Sequence, residues 1–332
     1  MPSKSSLKSK PSVTPVPFRR KLLAWYDANK RDLPWRKNKN PYNVWLSEIM
    51  LQQTRVAAVI DHYQRFLQKF PAVEKLAKAK ESSVLAAWSG LGYYRRARML
   101  HAAARKIVQE RHGTFPQTSG ELRSLPGIGR YTSAAIASIA YNEPIAVVDG
   151  NVERVLGRIS GKHLEGEAVW GLAGQLLDAN RPGDFNQAMM ELGATICLPQ
   201  QPMCIVCPIH DFCRAKSALP RIEKSARQQK KTVHYAFDRR DAAVFLVQRP
   251  HNASLMAGMW ELPEIVALNG GPHGDVPKFI LRHSITVTDY TVHIVEKPIS
   301  GGVEGRWVSN SKVVTLPLTG LTRKVLRKAG II

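Results

Sequence analysis

Leu125-Pro126-Gly127-Ile128-Gly129-Arg130-Tyr131-Thr132 is the stretch that decides the fold. Pro126 stiffens the entry, and Gly127 and Gly129 permit a sharp turn and a close backbone approach to a ligand. The spacing of Ala134, Ala135, Ile136 and Ile139 predicts a helix beginning near Arg130. The first amides of such a helix lack intrahelical partners and form an anion site suited to a phosphate. A G-x-G turn by itself joins many unrelated helix pairs, so the surrounding chain has to carry the argument.

Working outward, residues 18 to about 213 read as almost entirely helical. Apolar residues recur at helical spacing in Leu22, Leu23 and Tyr26, in Val44, Trp45, Ile49, Val56 and Val59, and in Val84, Leu85 and Trp88. Pro34, Pro41, Pro71, Gly113 and Pro116 mark turns between them. From 233 the texture changes. Ala242 to Val247 and the β-branched run Ile285 to Val295 predict strands, Trp307-Val308 a further one, and Leu318 to Arg327 a closing helix. The expected organisation is mostly α: a disordered basic tail over 1–17, an all-α domain over 18–213, a basic linker over 214–232 and a small α/β domain over 233–332.

A chain of 332 residues with 44% hydrophobic content can bury two cores. Its 48 Lys and Arg against 26 Asp and Glu leave a formal charge of +22. That excess favours a polyanion, because each neutralised phosphate releases counterions. Basic tails contribute, yet Arg95, Arg96, Arg98, Arg105, Arg123, Arg130, Arg154 and Arg158 fall in helical-looking segments. Nucleic acid is the leading partner; an anionic membrane surface has the same electrostatic appeal. No stretch is apolar long enough to span a bilayer. The Lys-, Ser- and Pro-rich N-terminus lacks the apolar run of a secretory signal, so the expectation is a cytoplasmic, nucleoid-associated monomer with no membrane partner.

Four cysteines, Cys197, Cys204, Cys207 and Cys213, stand in the spacing C-x6-C-x2-C-x5-C. In a reducing compartment, clustered thiols more often bind metal than form disulfides. Four thiolates suit either tetrahedral zinc or one iron–sulfur cluster, and generic chemistry leaves both open. Two carboxylates also stand out. Asp149 follows the apolar Val147-Val148 and precedes Gly150, a place where aspartates are usually turn residues. Glu48 lies among Trp45, Leu46, Ile49 and Leu51, although most helix glutamates are exposed.

The turn and the cysteine spacing together resemble the endonuclease III superfamily of helix-hairpin-helix DNA glycosylases. Leu33-Pro34-Trp35-Arg36, Leu46 to Thr54, Gly90-Leu91-Gly92-Tyr93-Tyr94 and Phe185 to Gly193 resemble the MutY-type adenine DNA glycosylases within it. The resemblance covers about residues 20 to 215. It implies a [4Fe-4S] cluster on Cys197, Cys204, Cys207 and Cys213. It also implies double-stranded DNA with adenine opposite 8-oxoguanine or guanine as substrate, with the hairpin Leu125, Gly127, Ile128, Gly129 and Arg130 against the backbone. Adenine departs more easily when protonated, most plausibly at N7, which requires a carboxylic acid kept neutral in an apolar pocket. The resemblance gives that role to Glu48. Asp149 would stabilise the oxocarbenium-like sugar, with Tyr131 and Asn151 orienting and hydrogen-bonding it. Trp35, Arg36 and Leu51 would line the adenine pocket and Glu191 help hold the base, with Thr54 counted among the substrate contacts. Gln53 and Tyr93 would fill the gap left in the duplex. Core packing is the plainer reading of Trp35, Leu51 and Tyr93. Bifunctional relatives carry a lysine where this chain has Tyr131. A phenol forms no imine and Arg130 stays protonated, so strong strand-cleaving activity is not expected.

Ala242 to Pro250 and Gly258 to Pro263 resemble the opening of a Nudix-like domain. The glutamate-rich helix that binds magnesium in Nudix hydrolases does not follow Pro263, and the segment 264–278 looks short, so an abbreviated, non-hydrolytic domain is expected. Arg282-His283-Ser284 runs on into Ile285-Thr286-Val287, where the family carries F-S-H. Thr286 keeps a hydroxyl, but the aromatic and the histidine are replaced, which bears on telling 8-oxoguanine from guanine; His293, alone in a strand, reads as structural. Competing readings are a mismatch glycosylase for another base, a DNA-bound iron–sulfur electron carrier, and a non-catalytic DNA-binding module. The electron carrier leaves Glu48, Tyr131 and the Nudix-like domain unexplained.

Overall fold

In a computed structural model, residues 14–215, 229–265, 276–285, 288–299 and 302–332 are described. The described helices are α1 (Pro15–Asn29), α2 (Pro41–Leu51), α3 (Val56–Lys69), α4 (Val73–Ala77), α5 (Glu81–Trp88), α6 (Arg95–Arg111), α7 (Ser119–Leu122), α8 (Arg130–Tyr141), α9 (Gly150–Ser160), α10 (Glu167–Leu176), α11 (Pro182–Thr195), α12 (Asn310–Val313) and α13 (Gly320–Lys328). The strands are β1 (Gln229–Ala236), β2 (Arg239–Arg240), β3 (Ala243–Gln248), β4 (Trp260–Glu261), β5 (Phe279–Ile285), β6 (Thr288–Val295) and β7 (Arg306–Ser309). The mostly helical class with a small C-terminal sheet region is as the sequence implies.

Two boundaries differ from expectation. α1 starts at Pro15, inside the stretch read as a disordered tail. Prolines at 15 and 17 fall in the first helical turn, where a missing N–H leaves no bond unmade. β1 starts at Gln229, inside the expected linker over 214–232. Its Gln229-Lys230-Lys231 start is polar, but it pairs in parallel with β6 from Gln229↔Thr288 onward. Residues 1–13 and 216–228, which hold most of the expected tail and linker, lie outside the described residues, as do 266–275 of the Nudix-like segment.

The chain divides into two compact units. One comprises residues up to 53 together with 106–222, the other 54–105 together with 223–332. In the first, α1 buries Phe18, Leu22 and Tyr26 in a core shared with Val152, Val155, Leu156 and Ile159 of α9, Val169, Ala173 and Leu176 of α10 and Phe185, Ala188, Met189 and Leu192 of α11. Close approach depends on small residues. A Cβ on Gly183 would sit 2.6 Å from the Ser138 carbonyl oxygen, so only glycine lets α11 lie against α8. Buried Asn186 then pins the segment leading to Asp149: it accepts from the Val147 amide at 3.1 Å and donates to the Ile145 carbonyl at 2.8 Å.

In the second unit, α3 to α5 bury Val59, Phe66, Leu76 and Trp88, with Phe66 edge-on to Trp88. The described strands of the C-terminal part form two sheets. One runs β1-β6-β5, with β5 antiparallel to β6; the other runs β2-β3-β4, with β7 also on β3. Inward residues alternate as a half-buried strand requires, Val244 and Leu246 on β3 and Val292 and Ile294 on β6. Leu321, Val325 and Leu326 of α13 close that core.

Candidate active site

Glu48 is buried because α2 is. Asn40 caps the helix by accepting from the Tyr42 and Asn43 amides, and Pro41 pre-forms its first turn. Val44, Trp45, Leu46, Ile49 and Met50 are all within the core, and Glu48 between them is only 6% exposed. Burial raises its carboxyl to about 7. The hydrogen bond from Tyr131 opposes the shift, the negative charge of Asp149 adds to it, and the positive charge of Arg36 opposes it. A group so placed carries a proton through much of the neutral range and can give it up.

Asp149 is the N-cap of α9. Its Oδ1 accepts from the Val152 amide at 2.8 Å and its Oδ2 from Asn151 Nδ2 at 3.0 Å. The helix N-terminus adds positive potential to a carboxylate there. Asn151 is itself held: its Oδ1 accepts from Arg154 Nη2 at 2.8 Å, and its Cβ lies where a Cβ on Gly193 would approach to 2.6 Å. Arg154 also donates to the carbonyls of Gly193 at 2.8 Å and Cys197 at 2.9 Å.

Tyr131 is placed differently from expectation. Its hydroxyl donates to Glu48 Oε2 at 2.7 Å, not to Asp149, and lies 3.4 Å from Met190 Sδ. A phenol has one proton, and the proximity of α2 to α8 gives it to Glu48. Burial, with Glu48 and Asp149 nearby, holds the Tyr131 phenol well above its usual range, so it remains a donor.

Glu191 is 1% exposed, and both of its carboxylate oxygens accept from arginine. Its Oε1 accepts from Arg31 Nε at 2.6 Å and the Arg31 amide at 3.2 Å. Its Oε2 accepts from Arg31 Nη2 at 2.8 Å and Arg36 Nη2 at 2.9 Å. Burial works against the charge, but the hydrogen bonds and charges of Arg31 and Arg36 prevail and lower the carboxyl to about 2. Arg36 is further occupied by the Arg31 carbonyl at 3.2 Å and the Tyr26 ring. Trp35 is buried, and Leu51 is half-buried at the end of α2.

Gln53, just past α2, is exposed with φ +54. In the second unit, Thr54 accepts from Arg96 Nη2 at 3.1 Å, and Tyr93 is 48% exposed with φ +47. A left-handed backbone at a non-glycine residue is uncommon and persists only where the surroundings impose it. In the hairpin, the side chains of Leu125 and Ile128 are buried. Gly127 has φ +75 and needs to be glycine; Gly129 is extended, with open space where a Cβ would go. Arg130 is half-exposed, ion-paired to Glu167 and 3.9 Å from the Trp170 ring centroid.

The four cysteines are unbonded to one another and together line one pocket with Arg158, Ile196, Pro202, Met203 and His210. Four thiols around one pocket are a donor set that one polynuclear cluster takes, with one thiolate at each iron. Arg158, buried on α9, donates to Cys197 Sγ at 3.1 Å and to the carbonyls of Cys197 at 3.2 Å, Leu198 at 2.7 Å and Pro199 at 2.8 Å. A fixed cation there suits an anionic thiolate assembly. Burial, with the other three cysteines adding to it, pushes the Cys207 thiol up to about 11, a strain that a bound cation would relieve.

Sequence reasoning missed Arg31, Arg154, Arg158, Asn186 and Gly193 as site-builders. Asn186 and Gly193 lie within the Phe185 to Gly193 motif, and Arg154 lies five residues past Asp149.

Residues 46–166 match the HhH-GPD superfamily base excision DNA repair protein family. Adenine DNA glycosylase of Mus musculus is 36% identical over 93% of this chain and 77% of its own length. The Rattus norvegicus enzyme is 43% identical over 77% of this chain and 62% of its own length, and the Homo sapiens enzyme 41% over 75% and 57%. The chain thus spans less than two thirds of the rat and human relatives. A thermostable thymine-DNA glycosylase superposes with a TM-score of 0.57 at 31% identity, covering 60% of this chain and 94% of that one. A non-covalent endonuclease III–DNA complex gives 0.54 at 22% identity, covering 61% and 97%, which speaks to the fold alone. Fold and matched segment define the class: base excision DNA repair proteins of the helix-hairpin-helix type. Within that class, the chain belongs to the adenine DNA glycosylase family.

Proposed function

We propose that this chain hydrolyses the N-glycosidic bond of adenine mispaired with 8-oxoguanine or guanine in duplex DNA, as a monomer. The observation that carries the reading is Glu48: a carboxyl raised to about 7 in an apolar helix interface, beside an anionic partner at a helix N-terminus. Glu48 protonates the extruded adenine at N7 so that it departs neutral. Asp149, fixed by Val152 and Asn151, offsets the positive charge developing on the sugar, and water completes the hydrolysis. Tyr131 keeps the Glu48 carboxyl oriented by donating to Oε2. With no lysine at 131, the product is an abasic site, and strand cleavage needs added alkali.

Cys197, Cys204, Cys207 and Cys213 would hold a [4Fe-4S] cluster, which ties the loop into a fixed shape next to the basic α9 residues. The exposed hairpin positions Gly127, Gly129 and Arg130 with the first amides of α8 would receive the DNA backbone. Gln53 and Tyr93, each on a left-handed tip, would enter the duplex as the base leaves. The C-terminal region is read as an abbreviated Nudix-like domain that inspects the opposite base. Of Ile285-Thr286-Val287, Thr286 and Val287 lie outside the described residues. His293 stands 4.7 Å, ring to ring, from His234 on the neighbouring strand.

Duplexes with adenine opposite guanine test the reading under enzyme excess, with the released base identified by mass. Glu48→Gln and Asp149→Asn should each slow release by roughly 10²–10⁴-fold while retaining duplex binding. Undiminished release by Glu48→Gln, or release of another base, contradicts it.

A further inference from the structure

Three of the four residues from Gly90 to Tyr93 have left-handed φ: Gly90 at +109, Gly92 at +70 and Tyr93 at +47. The two glycines adopt such angles freely; the tyrosine does not. Its strain must be imposed from outside the turn. Local bonds supply part of the restraint: the Gly92 carbonyl accepts from Trp88 Nε1 at 3.2 Å, and the Leu91 carbonyl accepts from Arg96 Nη2 at 3.2 Å.

The rest comes from residues more than two hundred positions away in the same unit. Ser89 and Tyr94 bracket the turn, and both hydroxyls donate to one acceptor, the Leu318 carbonyl, at 2.8 and 3.1 Å. Arg323 of α13 donates from Nε to Ser89 Oγ at 2.9 Å. Its Cδ lies 3.8 Å from where a Cβ on Gly90 would stand. Ser89, Tyr94 and Leu318 are each at most 4% exposed. Both lone pairs of that carbonyl are used, and a satisfied buried polar node of this kind specifies one geometry. The node is anchored in turn: Trp260 of β4 donates to the Pro317 carbonyl at 2.8 Å and accepts from the Thr319 amide at 3.0 Å.

We propose that Arg323 and the Leu318 carbonyl are positioning elements for Tyr93, so that the C-terminal sheet and α13 set the pose of the side chain that enters the duplex. The inference rests on the reading of Tyr93 as that side chain. The C-terminal region then acts on the target strand through the Ser89–Tyr94 turn, in addition to any contact of its own with the opposite base.

The test uses the full chain and a duplex with 2-aminopurine beside an adenine opposite guanine. Its fluorescence reports unstacking, and single-turnover cleavage is followed in parallel. Tyr93→Ala should lower the unstacking signal. Arg323→Met, which keeps the aliphatic stem and removes the donor, should lower it and the cleavage rate about tenfold. It should leave the pH dependence of cleavage unaltered, since Glu48 is untouched. In a Tyr93→Ala background it should add nothing, because the two act as one unit. Arg323→Lys should recover part of the loss. Should Arg323→Met fold poorly, as judged by its melting temperature, Ser89→Ala removes the same link and carries the same expectation. Equal effects of Arg323→Met or Ser89→Ala with and without Tyr93, or an unstacking signal equal to wild type in both, would overturn the inference. A silent Tyr93→Ala would instead sink the reading of Tyr93 and take the inference with it.

Discussion

Glu48 and Glu191 are both glutamates with almost no exposed surface, yet their carboxyls move in opposite directions, one to about 7 and the other to about 2. The difference is the partners: a neutral phenol and a nearby aspartate for Glu48, two arginines for Glu191. The pH dependence follows. If Glu48 acts as the acid, single-turnover cleavage should be level below about 7 and fall about tenfold per pH unit above it, as the protonated form is depleted. Stability should follow the same group. The folded state holds the Glu48 proton from the ordinary 4.5 up to about 7, so its contribution weakens as pH rises through that window. Glu191 has the opposite sign: its contribution is present above 4.5 and is lost as pH falls toward about 2. Melting temperature against pH should therefore show a decline between 4.5 and 7 that Glu48→Gln removes. A decline that survives Glu48→Gln would place the titrating group elsewhere.

At the scale of elements, the site depends on how closely α9 and α11 approach and on the cysteine loop that follows α11. Gly193→Ala puts a methyl 2.6 Å from Asn151 Cβ. It should cost roughly 1–3 kcal/mol of stability, read from a denaturant melt. Its loss of cleavage should be larger than that destabilisation explains, because Asn151 is displaced from Asp149. Equal stability and activity would mean the helices separate freely. Arg158→Met strips the donor from four acceptors at the cysteine loop and should lower iron content per chain, measured on protein purified in parallel with wild type. Unchanged iron content would show that the loop holds its shape without Arg158. These elements also mark how far the sequence could be read. The hairpin, the cysteine spacing and the helical character of 18–213 follow from local pattern. The roles of Arg154 and Arg158 do not. Their acceptors at Gly193 and Cys197 lie 39 to 43 residues away, and nothing local distinguishes a buried helix arginine from a solvated one. Tyr131 and Glu191 stand out by position, but their protein hydrogen-bond partners, Glu48 and two arginines, are decided by which segments pack together. α1 and β1 begin inside the stretches read as tail and linker, because Pro- and Lys-rich composition masks a helix or strand end that tertiary contacts secure.

For the whole molecule, the +22 charge, the exposed hairpin and the carboxylate pair converge on one activity. In the proposed function, the C-terminal region bears on which duplexes receive it. The most direct measurement is single-turnover adenine release from otherwise identical duplexes with adenine opposite 8-oxoguanine, guanine or thymine, with and without alkali. The account predicts release opposite 8-oxoguanine and guanine, little opposite thymine, and strand breaks that appear only after alkali. No adenine from any duplex, with iron content intact, or breaks that form without alkali, would contradict it.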